Sequence, residues 1–273
     1  MQDELIIRPN QGFRHYWRDL WQYRELFYFL AWRDIAVRYK QTVIGVAWSV
    51  IRPVLTMIVF TFVFGRLAGL PSGGAPYPIL VYAALLPWQL FANSLTESSS
   101  SLINNAQMIS KVYFPRLAIP TSAIVVSFVD FMISFVVLLL LMVGYRYWPT
   151  WRLLTLPLFT LLALTLALGG GLWMASLNVK YRDFRYIVPF LVQFGMYLSP
   201  VGFSSDIVPE QYRFLYSLNP MVGVIDGFRW AILGGDLTLY WPGFVLSVGI
   251  TLLLFVTGLR YFRRTERTFA DVI

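Results

Sequence analysis

The sequence predicts an all-α integral membrane protein with six transmembrane helices. Of its 273 residues, 58% are hydrophobic and only 13% are charged, which is more apolar surface than one soluble core of this size can bury. Long apolar runs recur along the chain, each near or above the roughly 20 residues that cross a bilayer. We therefore expect lipid to cover the excess apolar surface, and we expect one membrane bundle without a separate catalytic domain.

The expected spans cover residues 46–67, 67–96, 117–145, 153–179, 186–205 and 237–259. Four of them contain no charged residue, whereas the third contains Asp130 and the first contains Arg52 and Arg66. These two arginines are separated by about 21 Å along a helix, so each can extend toward its own face of the membrane. The transmembrane domain is thus expected at 46–259, between a cytoplasmic or interfacial segment (1–45) and a basic cytoplasmic tail (260–273).

Charge predicts the orientation. Seventeen of the 22 Lys and Arg residues fall in segments that six spans place on one side, so both termini are expected in the cytoplasm and the chain in the cytoplasmic (inner) membrane. The same bias explains the net charge of +8 without nucleic acid, because the arginines border apolar runs instead of forming a patch with stacking aromatics. We expect no cleavable signal peptide, because the first long apolar run begins only after about forty residues that are rich in charged and aromatic side chains.

The N-terminal segment predicts an amphipathic helix at the membrane surface. Phe13, Tyr16, Trp17 and Leu20 recur at helical spacing beside a polar stripe. Basic and aromatic residues suit the headgroup region. Packing on the protein's own cytoplasmic surface is an equally good interpretation.

Two internal cytoplasmic loops are expected, at 97–116 and 178–185. In the first, Leu102, Ala106 and Ile109 recur at helical spacing, which predicts a short helix that Pro115 ends. Both loops are either solvated connectors or docking surfaces for a partner protein.

The segment 200–236 predicts short external helices between the fifth and sixth spans. Asn219 suits a helix cap, Pro220 a first helical position and Gly234 a stop. The helix so bounded is about 21 Å long and too short to cross the membrane. A re-entrant or interfacial helix of this kind is tolerated beside protein or a water-filled path, which suggests that it lies near a transport path.

The sequence predicts no catalytic residue and no metal site. Cysteine is absent, His15 is the single histidine, and the 14 acidic residues are scattered. Asp130 lies within a span, where an ionisable residue is a functional candidate, but a proton relay lacks partners and a structural hydrogen bond or a neutral acid is the competing interpretation. The glycines at 169–171 lack a phosphate-loop ending and indicate close helix packing.

Aromatic residues make up 18% of the chain, and many lie at span ends as an interfacial belt. Trp88 and Phe91 in the second span, and Phe194 and Tyr197 in the fifth, lie deeper. They either pack in the core or offer a smooth surface along which sugar rings slide.

Six motifs occur in order along nearly the whole chain and resemble those of one family. They are VRYKQTVIGVAWSVIRP (37–53), LLPWQLFANSL (85–95), KVYFPR (111–116), LNVKYRDF (177–184), LSPVGF (198–203) and LNPM (218–221). The sequence is similar to the membrane subunits of ATP-binding-cassette exporters for O-antigen, capsule and teichoic acid polysaccharides. This resemblance implies a homodimer of six-span subunits with a continuous channel for a lipid-linked polysaccharide, paired with two copies of a separate ATPase that binds ATP and Mg²⁺.

The resemblance also implies roles for particular positions. Two cytoplasmic loops face the ATPase, and the segment that follows Pro200 and includes Asn219 and Pro220 forms an external gate. The loop residues are Lys111, Tyr113, Phe114, Arg116, Tyr181, Arg182 and Asp183. Their aromatic side chains, Phe114 among them, are expected to be exposed for docking. Because no ATP-binding motif occurs in the chain, hydrolysis is expected in the partner and no cofactor is expected here.

Three other functions stay open from the sequence. An exporter of a smaller lipid or drug belongs to the same superfamily. An ion-coupled transporter is favoured by inverted repeats and paired intramembrane charges, and neither is visible. A membrane-embedded glycosyltransferase is favoured by carboxylate clusters in a loop, which the scattered acidic residues do not provide.

Overall fold

The computed structural model describes residues 21–40, 43–112, 114–181, 183–235, 238–266 and 269. The predicted amphipathic helix over Phe13 to Leu20 lies outside these residues. Within the described part of the chain the secondary structure is helical, without a β-strand. The helices are α1 (Arg24–Lys40), α2 (Val43–Phe60), α3 (Tyr77–Asn104), α4 (Ala106–Lys111), α5 (Ala118–Gly144), α6 (Leu156–Lys180), α7 (Phe184–Leu198), α8 (Glu210–Tyr216), α9 (Pro220–Leu233) and α10 (Trp241–Thr265).

Among the described residues, five helical segments are long and apolar enough to cross a membrane. They correspond to α2 with its continuation to Leu67, α3, α5, α6 with its preceding turn, and α10. The chain is therefore a multi-pass membrane protein. The predicted fifth span corresponds to α7, which has 15 residues and reaches about 22 Å. It ends at Leu198 and not at residue 205.

The predicted limits of the second span are wrong at both ends. Residues 68–76 form a connection in which Gly69, Gly73 and Gly74 have positive φ, and the helix extends eight residues beyond the predicted end at 96, to Asn104. The sequence suggested a loop there because residues 97–101 are polar. Inside the helix the hydroxyls of Ser99, Ser100 and Ser101 donate hydrogen bonds to carbonyls of the preceding turn, as Ser101 does to the Ser98 carbonyl at 2.7 Å.

α3 is the centre of the bundle, packed mainly against α5 and α6. The glycines of α6 make this possible, as their spacing predicted. A Cβ on Gly171 would lie 2.5 Å from the Ser98 hydroxyl oxygen, and one on Gly169 would lie 2.7 Å from the Phe255 Cα in α10. Close approach of three helices therefore depends on small residues.

The bundle has two different ends. At the first, which we call the α4 end, one buried cluster joins α1, α4, α6 and α10 through residues such as Leu30, Ile109, Leu172 and Phe262. At the opposite end, the α9 end, helix α9 packs against α3, and α8 contacts α10. The described side chains of α2 and α7 lie largely outside the core, since only 11% of the first span is buried and Val188 is the buried residue of α7.

Candidate functional site

Helix α9 has the local structure that its flanking residues predict. The Asn219 side-chain oxygen accepts a hydrogen bond from the Met221 backbone N–H at 3.1 Å, Pro220 occupies the first turn, and Gly234 follows the helix with φ +61°. The Asn219 amide also donates to the Ser199 hydroxyl at 2.9 Å. One side chain therefore caps α9 and attaches it to the end of α7.

Arg229 anchors α9 to the rest of the α9 end. It is 4% exposed, and its guanidinium donates to the carbonyl oxygens of Phe203 (2.6 Å), Val201 (3.1 Å) and Leu80 (3.3 Å). Two of these acceptors belong to the turn after α7, and the third belongs to the first turn of α3. A single buried cation thus connects three segments whose backbone groups have few other partners at this depth.

Other hydrogen bonds hold the same turn. The Tyr77 hydroxyl donates to the Gly202 carbonyl at 2.8 Å, and the Ser205 hydroxyl donates to the Asp226 carboxylate at 2.7 Å. Pro200 is buried in this turn. The sequence did not single out Arg229 or Tyr77, because no spacing or motif shows which carbonyls converge on a side chain.

Beneath this end lies an apolar cavity of about 900 Å³ between α3, α6, α7 and α10, with α8 and α9 above it. Trp88, Phe91 and Phe194 line it, so the structure brings together three of the four aromatics that the sequence predicted to lie deep. Tyr197, the fourth, is 62% exposed and outside the cavity. Trp173 also lines it and was not predicted.

The exposed face of α7 carries an aromatic stripe. Tyr186, Phe190, Phe194 and Tyr197 are spaced by three or four residues, and each is at least half exposed. The rings of Phe190 and Phe194 stack with their centroids 5.9 Å apart. The helical spacing was visible in the sequence, but only the structure shows that this face has no partner within the described part of the protomer.

Asp130, in α5, is held by three groups. Its carboxylate accepts hydrogen bonds from the hydroxyls of Tyr39 and Ser49 (2.7 Å for Ser49) and pairs with the Arg38 guanidinium at 2.8 Å. Arg38 also pairs with Glu97 at 3.5 Å. Of the two interpretations of Asp130, these contacts favour a structural hydrogen-bonding role, since the carboxylate fixes the end of α1 against α5.

Tyr39 lies in α1, outside the apolar spans. Burial, together with its hydrogen bond to the Asp130 carboxylate, raises the pKa of the Tyr39 hydroxyl to about 12. The hydroxyl therefore keeps its proton at physiological pH and stays a donor to Asp130.

The α4 end carries the residues predicted to face an ATPase. Lys111 is exposed at the end of α4, whereas Phe114 is 4% exposed and packs in the buried cluster of that end. The expectation of an exposed aromatic side chain at 114 is wrong. The apolar contacts of Phe114 with neighbouring helices outweigh exposure to water, so it supports the surface from below.

Arg116 forms hydrogen bonds with Glu266, which directly follows α10. Its backbone N–H donates to the Glu266 carboxylate at 2.8 Å, and its guanidinium donates to the Glu266 carbonyl. Tyr181 and Asp183 are exposed in the second loop. Tyr113 and Arg182 lie outside the described residues. Among the described residues, no three His, Asp or Glu side chains come together as a metal site.

These features describe a multi-pass helical membrane protein, and comparison with known sequences gives its class. Residues 25–233 match the family described as ABC-2 type transporter. The chain belongs to this family, whose members are transport components.

The relatives compared include proteins named as O-antigen export permeases and a protein named for polysialic acid transport. The O-antigen export system permease protein RfbA of Myxococcus xanthus is 32% identical over 78% of this chain and 82% of its own. The RfbA permease of Klebsiella pneumoniae is 29% identical over 88% of this chain and 92% of its own. The polysialic acid transport protein KpsM of Escherichia coli is 21% identical over 86% and 91%, respectively.

Proposed function

We propose that this chain is the membrane-spanning subunit of an ATP-driven exporter that moves a lipid-linked polysaccharide, O-antigen or a related glycan, across the cytoplasmic membrane. The observation that carries the proposal is the similarity to O-antigen export permeases over 78% to 88% of the chain. The family match over residues 25–233 includes both internal loops at the α4 end and the segment from Pro200 to α9, to which we assign coupling and gating.

We place six spans in the membrane, with α7 as the short fifth span and both termini in the cytoplasm. The α4 end is then cytoplasmic and the α9 end external. The positive-inside distribution of Lys and Arg supports this orientation.

The working unit is a homodimer. α2 and α7 leave their outward faces uncovered within one protomer, and the α7 stripe of Tyr186, Phe190, Phe194 and Tyr197 offers flat aromatic surface. A second copy facing these helices encloses a channel lined by rings. Such rings bind the apolar faces of sugars weakly, which suits a polymer that must move.

Hydrolysis of ATP belongs to a separate subunit, of which two copies bind the α4 end. Lys111, Tyr181, Arg182 and Asp183 are the contacts we assign to that interface, since arginine and tyrosine are enriched among residues that dominate protein interfaces. Phe114 and Arg116 hold this surface in place through the buried cluster and Glu266. ATP and Mg²⁺ are bound by the partner, and this chain needs no cofactor.

The segment from Pro200 to α9 forms the external gate. A path wide enough for sugar rings leaks ions unless it closes. Asn219, Pro220 and Arg229 fix α9 across the end of the bundle, where it can act as that closure.

Deletion of the encoding gene in a strain that makes a surface polysaccharide tests the function. We expect the surface polymer to disappear and its lipid-linked form to accumulate inside the cell, with both effects reversed by the wild-type gene. Normal surface polymer in the deletion strain would contradict the proposal.

A further inference from the structure

A second cavity, of about 300 Å³, lies between α2, α3, α5 and the end of α1. In contrast to the apolar cavity, its walls are polar. The residues that carry the argument are Trp48, Arg52, Gln89, Asn93, Ser127 and Asp130. They lie on helices that are otherwise strongly apolar, within the membrane-spanning part of the chain.

Several of these polar groups have no hydrogen-bond partner in the described part of the protein. Gln89 and Asn93 are one helical turn apart on α3, partly buried, and neither amide is bonded to another described residue. The Ser127 side chain is 1% exposed, and its hydroxyl oxygen is buried without a partner. Polar groups at membrane depth are costly unless something satisfies them.

Arg52, an exposed residue that also lines the cavity, is the fourth polar group. Its guanidinium lies over the Trp48 ring, 5.8 Å from the centroid, and it forms no ion pair among the described residues. Four polar side chains on three helices therefore converge on one cavity, which indicates a polar ligand that enters it.

The charges indicate the class of ligand. The lining carries Arg38, Arg52 and Asp130, a formal charge of +1, and Glu97, which pairs with Arg38 from outside the lining, brings the group of four to zero. A phosphate needs an excess of donors and positive charge, and the Asp130 carboxylate repels it. Amides and hydroxyls donate and accept equally well, so they match the hydroxyl groups of a neutral sugar.

Size and shape agree with this match. A cavity of 300 Å³ is at the lower end of the range for small-molecule sites, so it holds a single ring and not a lipid or a long oligosaccharide. The half-exposed Trp48 indole adds a flat apolar surface at one side.

We propose that this cavity is a subsite for one sugar residue of the exported glycan, with Gln89, Asn93, Arg52 and Ser127 as hydrogen-bonding groups. Trp48 forms its apolar wall. The subsite rests on the proposed export function. Asp130, already fixed by Arg38, Tyr39 and Ser49, keeps the wall formed by α5 in register with α1 and α2.

The absence of cysteine allows a direct binding test in the full chain with its ATPase. Two single variants, Gln89→Cys and Asn93→Cys, each introduce one thiol into the cavity and keep the amide side chain at the other position. Each variant is treated with a charged methanethiosulfonate reagent. Thr165→Cys, at a partly exposed position in the middle of α6 and outside the cavity lining, is the control, because a charged reagent does not enter the hydrocarbon of the membrane. We expect labelling of the two cavity thiols and none at 165.

The probes for protection are methyl glycosides of glucose, galactose, mannose, rhamnose and N-acetylglucosamine, with inorganic pyrophosphate as the anionic comparison. At about ten times its dissociation constant a bound sugar slows labelling by about tenfold, because the free site is reduced by that factor. We expect protection of at least one cavity thiol by a sugar and none by pyrophosphate. Thiols that are unlabelled, labelled without protection by any sugar, or protected by pyrophosphate alone would overturn the proposal.

An export assay separates this subsite from the function as a whole. Gln89→Leu with Asn93→Leu removes both amides at similar volume, and we expect surface polysaccharide to fall by about tenfold or more while the complex with the ATPase still purifies. Thr165→Val is the matched control and should export normally. Undiminished export by the double variant would refute the subsite alone, whereas failure of the wild-type chain to export would refute the proposed function.

Discussion

Replacing Arg229 with methionine should release the external segment. The substitution keeps an unbranched apolar side chain of similar length but removes the donor to the carbonyls of Leu80, Val201 and Phe203. The Leu80 carbonyl keeps its helical hydrogen bond within α3, whereas the Val201 and Phe203 carbonyls lose a charged donor at a cost of about 1.5 kcal/mol each. We therefore expect a loss of about 3 kcal/mol in the stability of this segment. That energy corresponds to opening more than about 100-fold more often.

Hydrogen–deuterium exchange of the protein in nanodiscs measures this opening. In Arg229→Met, peptides covering the turn after α7 should exchange about 100-fold faster than in the wild-type protein, because local opening limits their exchange. Arg229→Lys retains one charged donor and should give an intermediate rate. In planar bilayers we expect the ion conductance to rise in the same order, from the wild-type protein through Arg229→Lys to Arg229→Met.

Arg213→Met provides the matched control. Arg213 also lies in the external segment, but it is only partly buried and donates to the Val208 and Asp206 carbonyls within its own turn. Its loss should cost less than about 1 kcal/mol. Equal exchange in Arg229→Met and the wild-type protein, or equal effects of Arg229→Met and Arg213→Met, would refute the assignment of Arg229 as the anchor.

Three further substitutions test the two ends. Phe114→Ala should lower the free energy of unfolding by about 3–5 kcal/mol, measured as a lower thermal unfolding temperature. Val112→Ala, at an exposed position, should leave that temperature unchanged, and equal unfolding temperatures of the two variants would contradict a buried role for Phe114. Arg182→Glu should weaken co-purification with the ATPase, and Arg146→Glu at the other end should not; unchanged binding by Arg182→Glu would argue against docking there. Asn219→Ala with Pro220→Ala removes a cap that stabilises by about 1 kcal/mol and should cause ion leak or lost export; normal surface polymer with no added conductance would show that α9 is only a structured loop.

The features predictable from sequence are those set by local chemistry. Helix α9 begins and ends where Asn219, Pro220 and Gly234 require, and its length follows from those positions. The glycines at 169–171 likewise predicted close packing, because a helix without side chains at those positions admits a neighbour. The long apolar runs likewise predicted the spans, because the composition of each run alone shows that it can cross the membrane.

The features that sequence did not predict depend on contacts between distant residues. The serines after residue 96 are polar and suggested a loop, yet α3 continues because α6 covers them, with Asn178 donating to the Ser99 carbonyl. Phe114 was expected at the surface as part of a docking loop, and the cluster that buries it is formed by residues of six helices, α1, α3, α4, α5, α6 and α10. The sequence did not single out Arg229, because the three carbonyls to which it donates lie 26 to 149 residues away along the chain.

Transport by purified protein in proteoliposomes tests the central claim most directly. We expect a lipid-linked polysaccharide to reach the opposite face of the membrane only when this chain, its partner ATPase and ATP are all present, and we expect the chain alone to hydrolyse no ATP. Robust hydrolysis by the purified chain alone, or equal transport driven by a proton gradient without the ATPase, would contradict the account.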